Sequence, residues 1–488
     1  MGLPPSANPK PSPPTSNVAI SITRRPPGST CRPRSQPSPT PHWSKAMSET
    51  TAGSETPIRR AILGSLVGTS LEWYDFFLYG SAAALVFNEV FFPTFDPLTG
   101  TLLSFLTFAT GFLARPIGGI LAGNYGDRFG RKKVLLFTVS LMGGSTVAIG
   151  LIPSYATIGV AGPILLIVVR LAQGFALGGE WAGGALMIAE RAPSTRRGYL
   201  TSFVQVGVPI GTLLSTAMLY LMSGTLSRDA FVQWGWRIPF LMSIVVVLIG
   251  IYIRRKVGES PAFTELDAET RTTGHAPILN LLKTQPLDVL RVIGIRAGAD
   301  IVYYLLVTFL LTYVTTTLGL PRSVGLLATL IGAGMQLFTY PAFAALSDRY
   351  GRKSLTIFGA AGALVWMVAF FPLVDTKSTG LIVLAVLGGL FFHSAMYGVQ
   401  ASWICELFDT RHRYSGASLG YQLSGIVGGS LAPTIAVALL QASNSTTPVV
   451  VYACAALALV LVAASLTRET RGGDLHDPGA VAKVRSAL

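Results

Sequence analysis

Twelve apolar segments recur along this chain from Ala61 onward, and each is long enough to cross a membrane as a helix. A transmembrane helix needs about 20 mainly apolar residues, and here each run is bounded by charged residues or by Gly, Pro or Asn. Only 12% of the residues are charged, against about 25% in soluble proteins. The sequence therefore predicts an all-α integral membrane protein with twelve transmembrane helices. The expected spans are 61–86, 101–123, 134–152, 159–189, 199–222, 236–253, 291–316, 323–345, 355–373, 380–405, 415–440 and 448–466.

The longest interior gap, 254–290, divides these spans six and six. Residues 127–132, after the second span, read Asp-Arg-Phe-Gly-Arg-Lys. Residues 348–353, after the eighth span, read Asp-Arg-Tyr-Gly-Arg-Lys, at an offset of 221. Two matching loops in matching places indicate an internal duplication. We therefore predict two six-helix bundles with a central site between them.

A second, weaker repeat supports the same duplication. Glu190 and Arg197 follow the fourth span, whereas Glu406 and Arg413 follow the tenth, at an offset of 216. The predicted organisation is a disordered N-terminal extension over 1–57, an N-terminal bundle over 58–253, a cytoplasmic linker over 254–290, a C-terminal bundle over 291–466 and a short cytoplasmic tail over 467–488.

The first 46 residues have the composition of a disordered segment. They are rich in proline and serine, and they contain neither an acidic residue nor an apolar run of signal-peptide length. Met47 begins a second plausible N-terminus shortly before the first span. We therefore expect Met47 to be the functional start.

The positive charges predict the orientation. If the chain starts in the cytoplasm, the outer connections hold only four basic residues, Arg228, Arg237, Arg322 and Lys377. Loops rich in Lys and Arg stay on the cytoplasmic side, so both termini are expected there. This placement explains the net charge of +14 without a nucleic-acid partner. The three cysteines are scattered, which argues against a disulfide framework and a metal site.

These motifs make the chain similar to the major facilitator superfamily, in which the D-R-x-G-R-K loop is a signature. Further segments resemble its metabolite:proton symporters, which include shikimate, α-ketoglutarate and proline/betaine permeases. The segments are Leu-Glu-Trp-Tyr-Asp-Phe at 71–76, Arg-Pro-Ile-Gly-Gly at 115–119, Arg-Leu-Ala-Gln-Gly-Phe-Ala-Leu-Gly-Gly-Glu-Trp at 170–181, Trp-Gly-Trp-Arg-Ile-Pro-Phe at 234–240 and Tyr-Ser-Gly-Ala-Ser-Leu-Gly-Tyr-Gln at 414–422.

The resemblance covers about residues 58–470. It implies a transporter of the bacterial inner membrane that works by alternating access and is not an enzyme. It also implies a proton as the coupling ion, no cofactor, and a small metabolite as the ligand. We expect a monomer surrounded by lipid.

Charged side chains inside the spans are the candidate proton carriers, because a charge at the bilayer centre costs about 2.5–3.5 kcal/mol on insertion scales. Glu72 and Asp75 are three residues apart on one face of the first span. Two such carboxylates cannot both ionise cheaply, so one should hold a proton. Arg170 is the expected counter-charge, as the resemblance also implies, and the alternative is a permanent ion pair that docks two helices. Asp300 occupies the position of Asp75 in the second half.

A second group of residues is predicted to bind the substrate. Arg115 and Arg296 suit an anionic group, although Arg115 could instead reach the membrane interface and Arg296 could be satisfied by Asp300. His393 is either a hydrogen-bonded core residue or a proton relay. The predicted set is Arg115, Arg296, Tyr79, Gln173, Tyr303 and His393.

The duplicated loops are predicted to act in conformational change rather than in chemistry. Their aspartates can receive cations or helix N-termini, and their arginines can hold the cytoplasmic helix ends together. The predicted gating residues are Asp127, Arg128, Gly130, Arg131, Asp348, Arg349, Gly351 and Arg352.

The function predicted from these observations is proton-driven uptake of a small polar metabolite, either a carboxylate-bearing organic acid or a zwitterion. One alternative is a proton-coupled exporter. Another is a transporter-like osmosensor, although osmosensing relatives carry a long C-terminal coiled coil and only 22 residues follow Leu466 here.

Overall fold

A computed structural model describes Gly2, residues 42–129, 131–178, 180–256, 277–410 and 412–473, and residue 475. Within these ranges the side chains of 42–57, 120, 122–136, 180, 246, 250–256 and 277–279 are not described. All contacts reported below lie in one compact unit, Ala52–Leu488.

The described part of the chain is helical and contains no strand. Its twelve long helical segments are α1 (His42–Leu85), α2 (Pro97–Phe129), α3 (Arg131–Leu151), α4 (Ala161–Arg191), α5 (Arg197–Thr225), α6 (Arg237–Lys256), α7 (Pro286–Thr317), α8 (Arg322–Tyr350), α9 (Arg352–Asp375), α10 (Thr379–Leu407), α11 (Arg413–Ser443) and α12 (Thr447–Leu466). We refer to α1–α6 as the first half and to α7–α12 as the second half. Short helices occupy Phe87–Phe91, Tyr155–Ile158, Arg228–Ala230 and Pro277–Thr284.

Every predicted span falls on one of these segments. Among the described residues, nine segments are long and apolar enough to cross a membrane, and a bent pair, Arg228–Gly235 with Arg237–Ile249, makes a tenth. The predicted helical membrane fold is therefore confirmed. The full count of twelve spans stays a prediction, because α1 and α3 fall outside this set.

Two helices depart from regular geometry where the site will lie. α7 widens into π-helical turns at Leu305–Phe309 and Tyr313–Thr317, and α11 does so at Gly425–Ser430. Such turns inside helices often mark functional positions. A Cβ added to Gly428 would lie 2.4 Å from the carbonyl oxygen of Ala297. The glycine-rich turn thus lets α11 approach α7 closely.

Glycines in both α2 and α4 allow these two helices to pack closely. A Cβ at Gly174 would lie 1.9 Å from the carbonyl oxygen of Gly111, and a Cβ at Gly118 would lie 1.8 Å from that of Phe175. Small residues allow helices in a membrane to pack at backbone distance. This crossing positions Arg170 of α4 beside the aromatic residues of α1 and α2.

The two halves meet mainly where α5 packs along α8 and α10, and where α2 packs against α11. On the face opposite the duplicated loops, the halves are joined by Arg322 to Ser223 at 3.1 Å and by Gln441 to Thr99 at 2.9 Å. The predicted linker is helical at Pro277–Thr284 before α7 begins. Contacts between the halves thus occur at both ends of the molecule.

Candidate functional site

Asp75 of α1 is buried in the first half, with 2% of its surface exposed. The hydroxyls of Thr146 and Ser243 lie near its carboxyl group, and Arg170 is its nearby positive charge. Its Oδ1 makes no hydrogen bond to any described residue. The carboxyl group therefore sits in a sparse polar pocket formed by α1, α3, α4 and α6.

Arg170 of α4 is completely buried. Its Nη1 donates to Oε1 of Gln173, and Nε2 of Gln173 donates to the Thr146 hydroxyl at 2.8 Å. The guanidinium also lies over the rings of Phe76 at 4.4 Å and Tyr79 at 4.3 Å. Among the described ion pairs there is none between Arg170 and Asp75. Gln173 instead connects Arg170 to Thr146, which lies beside Asp75.

Arg115 of α2 pairs loosely with Glu72 of α1, with 3.9 Å between Nη2 and Oε1. Its guanidinium lies 4.5 Å from the ring centre of Phe76 and 4.7 Å from that of Phe112. The Arg115 side chain is only 4% exposed. Arg115 therefore points into the protein rather than to the membrane interface.

Arg296 and Asp300 of α7 form a buried ion pair, with 3.3 Å between Nη2 and Oδ2. The guanidinium of Arg296 lies 3.5 Å from the ring centre of Tyr421 in α11. Gln400 of α10 accepts a long hydrogen bond of 3.5 Å from Arg296. The i and i+4 residues thus satisfy each other, while Arg296 also connects α7 to α10 and α11.

His393 of α10 lies completely buried among aromatic and amide side chains. Its Nδ1 is 3.3 Å from Nε2 of Gln336 and 3.4 Å from the Tyr340 hydroxyl. Its ring lies 4.9 Å from that of Tyr303 and 5.3 Å from that of Tyr397. Gln336 takes the position that Arg115 has in the first half, so the duplication replaces a cation by an amide here.

A small central cavity of about 10 Å³ lies between the halves. Side chains from α1, α5, α7, α8 and α10 line it. They are Trp73, Phe77, Val208, Asp300, Tyr303, Tyr304, Tyr340, His393 and Tyr397. Three predicted site residues, Asp300, Tyr303 and His393, therefore share one cavity, whereas Asp75, Tyr79, Arg170 and Gln173 cluster in the first half.

Sequence reasoning missed the aromatic residues of this cavity. Tyr304, Tyr340, Tyr397 and Trp73 all read as ordinary core residues of apolar spans. One usable signal was present: Tyr397 lies four residues, or one turn, after His393. Thr146, which accepts a hydrogen bond from Gln173 beside Asp75, gave no signal in the sequence.

A second group of charges joins the halves at the face that carries the duplicated loops. We call it the charge network, and it consists of Glu190, Arg197, Asp348, Arg352, Glu406 and Arg413. Arg197 is 3.2 Å and Arg352 is 3.3 Å from the same Oε1 of Glu406. Arg413 is 3.5 Å from Glu190. Each half therefore supplies a glutamate to an arginine of the other half.

Asp348, near the end of α8, contacts the start of α5. Its two carboxylate oxygens accept from the backbone N–H groups of Gly198 at 2.8 Å and Tyr199 at 2.9 Å, and Arg352 donates to it at 2.8 Å. A helix N-terminus presents unpaired N–H groups that suit a carboxylate. Gly351 follows with φ of 101°, which favours glycine, and turns the chain from α8 into α9.

Of the remaining predicted gating residues, Arg349 is the one whose side chain the structure describes. The backbone carbonyl of Arg349 accepts a hydrogen bond from Arg471. The first-half loop is not placed in the same detail: Asp127, Arg128, Gly130 and Arg131 lie outside the residues whose side chains the structure describes. Their role stays a prediction.

The segment after α12 folds back onto the charge network. We call residues 467–473 and 475 the C-terminal strap. Glu469 accepts from the backbone N–H groups of Arg352 at 2.9 Å and Lys353 at 3.0 Å. The Thr470 hydroxyl donates to Oε2 of Glu406 at 2.5 Å, and the Gly473 carbonyl accepts from Arg197 at 2.9 Å. The strap thus contacts both halves.

The sequence pattern of the Major Facilitator Superfamily matches residues 65–379 and 297–487. The chain belongs to the Major Facilitator Superfamily. It is 42% identical over 384 residues to the shikimate transporter of Escherichia coli K12, covering 78% of this chain and 88% of that one. It is 34% identical over 427 residues to the proline/betaine transporter of the same strain, covering 86% of this chain and 85% of the relative.

Solved structures of this superfamily share the fold. The partially occluded inward-open xylose transporter XylE of E. coli has a TM-score of 0.67 at 21% identity, and the match covers 86% of this chain and 99% of XylE. A crystal structure of a D-xylose-proton symporter gives 0.68 at 20% identity, covering 85% and 99%. These similarities confirm the Major Facilitator Superfamily fold.

Membership of the Major Facilitator Superfamily confirms that the chain is a multi-pass membrane transporter and not an enzyme. The predicted similarity to metabolite transporters is also confirmed, since the relatives include an inner membrane metabolite transport protein of E. coli K12 at 39% identity over 431 residues, covering 86% of this chain and 97% of that one. The positions of the proton, the substrate and the gate within this fold stay predictions.

Proposed function

We propose that this chain is a proton-coupled importer of a small carboxylate-bearing metabolite, an organic acid or a zwitterion, and that it works as a monomer in a bacterial inner membrane with both termini cytoplasmic. The observation that carries the proposal is the connection between a buried acid and a buried base. Gln173 joins Arg170 to Thr146, and Thr146 lies beside Asp75. Such a connection suits a transporter whose proton and substrate sites must sense each other.

Thr146 is the switch in this connection. Its hydroxyl donates to the Met142 carbonyl at 3.1 Å, and the Asp75 carboxyl group lies nearby. Hydrogen bonds to an ionised acceptor are about twice as strong as neutral ones, so a charged Asp75 attracts this hydrogen. A proton on Asp75 removes the attraction and lets Thr146 turn to Met142. Gln173, which donates to Thr146, then transmits the change to Arg170.

The substrate carboxylate is assigned to the first-half arginines. Nη2 of Arg170 and Nε of Arg115 make no hydrogen bond to a described residue. Buried guanidinium N–H groups pair well with carboxylates, often in a bidentate way. The relatives named for shikimate and for proline and betaine fit this assignment, because all three molecules carry a carboxylate.

Alternating access requires that contacts at the two ends break in turn. At one end the charge network joins the halves. Near the centre, the Tyr303 hydroxyl of α7 is 3.1 Å from Thr212 of α5. We propose that opening to the cytoplasm breaks the charge network. Opening outward breaks contacts such as the one between Tyr303 and Thr212. Proton and substrate binding bias these populations through their different affinities for the two states.

Uptake into proteoliposomes tests the proposal. The vesicles carry an imposed proton gradient, and the panel of radiolabelled compounds contains dicarboxylates, shikimate, proline and glycine betaine. We expect at least one carboxylate to accumulate and a protonophore to abolish its accumulation. Accumulation that resists the protonophore would refute proton coupling. Extrusion of the compound would indicate an exporter, and an osmotic response without transport would indicate a sensor.

Gln173→Leu provides the structural control. It keeps Asp75 and Arg170 and removes the amide between them. We expect this variant to exchange substrate at equal pH but to lose most proton-driven accumulation. Normal accumulation in Gln173→Leu would contradict the role given to the connection.

A further inference from the structure

The first residues of the C-terminal strap are anchored on the second half. The Arg468 guanidinium donates to the Leu407 carbonyl at 2.5 Å, and the Trp403 indole donates to the Arg468 carbonyl at 3.2 Å. Arg471 donates to the backbone carbonyl of Arg349. These bonds tie the strap to the ends of α8 and α10, so that it moves with the second half.

Glu469 fixes the strap to the duplicated loop of the second half. Its two carboxylate oxygens accept from the backbone N–H groups of Arg352 at 2.9 Å and Lys353 at 3.0 Å, at the start of α9. A helix N-terminus stabilises a carboxylate placed in this way. A Cβ added to Gly351 would lie 2.4 Å from Oε2 of Glu469. The glycine of the loop therefore makes room for this carboxylate.

The last described residues of the strap reach the two arginines that pair across the halves. The Gly473 carbonyl accepts from Arg197 at 2.9 Å, and the Leu475 carbonyl accepts from Arg413 at 3.0 Å. Arg197 and Arg413 each pair with a glutamate of the opposite half. The strap thus supplies one carbonyl oxygen to each of these bridging arginines.

Thr470 adds a bond at the centre of the charge network. Its hydroxyl donates to Oε2 of Glu406 at 2.5 Å, whereas Arg197 and Arg352 are closest to Oε1 of the same carboxylate. The Glu406 side chain is only 2% exposed. A buried carboxylate is stable only when its oxygens are paired, so Thr470 stabilises the group that joins the halves here.

The strap also contributes apolar contact at this face. Leu475 is 4% exposed and belongs to the apolar cluster that contains Trp181 of the first half and Trp403 of the second half. Separation of the halves would take Arg197 away from Glu406 and from the Gly473 carbonyl in one step, because the strap is anchored on the second half. Opening therefore costs more with the strap in place.

We propose that the C-terminal strap is a latch that stabilises the state closed at this face. The proposal rests on one part of the proposed function, namely that the halves separate here during transport. It does not depend on the substrate or on the position of the proton. Weakening the strap should raise the population of the open state.

Cys405 reports that population. It is completely buried in the same apolar cluster, beside Glu406, whereas Cys454 of α12 is partly exposed. A buried group reacts through the transiently opened state, so its rate follows the opening equilibrium. The experiment measures alkylation of each cysteine by N-ethylmaleimide in the reconstituted full-length protein, peptide by peptide.

Thr470→Val removes the hydroxyl and keeps the shape of the side chain. It should speed alkylation of Cys405 about tenfold, which is the effect of losing one hydrogen bond to a charged group, and leave Cys454 unchanged. Thr470→Ser keeps the hydroxyl and should retain the slow rate.

Glu469→Gln weakens the strap at a different point. An amide has one acceptor oxygen, so it cannot accept from both Arg352 and Lys353 as the carboxylate does. Alkylation of Cys405 should again become severalfold faster. An unchanged Cys405 rate in either Thr470→Val or Glu469→Gln would overturn the latch.

Two further variants show whether the effect belongs to this face. Gln441→Leu removes a contact between the halves at the opposite face, the 2.9 Å bond to Thr99, and should not speed alkylation of Cys405. A faster Cys405 rate in Gln441→Leu, or faster alkylation of both cysteines in the strap variants, would indicate general loosening and would overturn the latch.

Asp348→Asn separates failure of the latch from failure of the proposed function. It weakens the bonds from Gly198 and Tyr199 of α5 without touching the strap, and it should speed alkylation of Cys405. If it does so while the strap variants do not, the halves separate here and the latch is wrong. If none of the three variants speeds alkylation, the latch and the separation at this face are both wrong.

Discussion

Arg197 of α5 and Glu406 of α10 form a buried ion pair between the two halves, with 3.2 Å between Nη1 and Oε1. Their side chains are only 5% and 2% exposed. The Glu406 carboxylate also pairs with Arg352 and accepts a hydrogen bond from the Thr470 hydroxyl. A single carboxylate thus holds together α5, α9, α10 and the C-terminal strap, and the following prediction concerns its removal.

Glu406→Gln should lower the stability of the purified protein by about 3 kcal/mol, because breaking a buried ion pair leaves charge without compensation. Thermal unfolding in detergent measures the loss. The control is Glu89→Gln, which removes an exposed ion pair to Arg228 with 3.0 Å between charged atoms. Exposed pairs contribute about 0–1 kcal/mol. Equal losses in both variants would show that burial of the pair does not matter.

Asp75→Asn should abolish proton-driven accumulation while permitting exchange of substrate between two compartments at equal pH. The amide keeps the shape of the side chain but cannot carry the proton. Uptake and exchange in the same vesicles measure the two activities. Asp96→Asn, at an exposed acid near the start of α2, is the control and should change neither. If Asp75→Asn still accumulates substrate with a normal pH profile, the proton site must be sought at Glu72, Asp300 or His393.

Asp348→Asn should slow turnover more than it weakens substrate binding, because Asp348 holds the start of α5 and the Arg352 side chain rather than the cavity. The same prediction applies to Asp127→Asn in the first-half loop. Equilibrium binding and exchange rate, measured on each variant, separate the two effects. A collapse of affinity with a normal exchange rate would contradict the gating assignment for that loop.

Gly174→Val should prevent stable folding, since even a Cβ would lie 1.9 Å from the Gly111 carbonyl oxygen and α2 and α4 would have to separate. Gly144→Val is the matched control: a Cβ there meets nothing within 4 Å. Size-exclusion chromatography in detergent compares the two. A folded, monodisperse Gly174→Val protein would show that the close crossing is not required.

The sequence was sufficient to predict the helical membrane fold and the pairs of charged residues within one helix. Apolar run length predicts spans directly, and Arg296 with Asp300 could be read as a pair because i and i+4 residues share a helix face. Contacts between residues on different helices could not be predicted in this way. The sequence predicted Arg170 as a counter-charge, but the Gln173 and Thr146 connection depends on how α3 packs against α4, which no spacing within either helix encodes.

The aromatic cavity was unpredictable for a related reason. Tyr304, Tyr340 and Tyr397 look like core residues in any apolar helix, and only the meeting of α7, α8 and α10 turns them into the wall of one cavity. The duplication likewise predicted that Glu190 and Arg197 correspond to Glu406 and Arg413, but it did not predict which glutamate contacts which arginine. That choice is made by packing between the halves.

The exchange of partners in the charge network has the form of an isologous interface. Glu190 contacts Arg413 and Arg197 contacts Glu406, so position i of one half meets position j of the other, and position j meets position i. Subunits of a two-fold symmetric homodimer contact each other in this way. The two halves of this single polypeptide are therefore joined as two copies of one subunit would be, and the surface between them at this face is a self-complementary dimer interface within one chain.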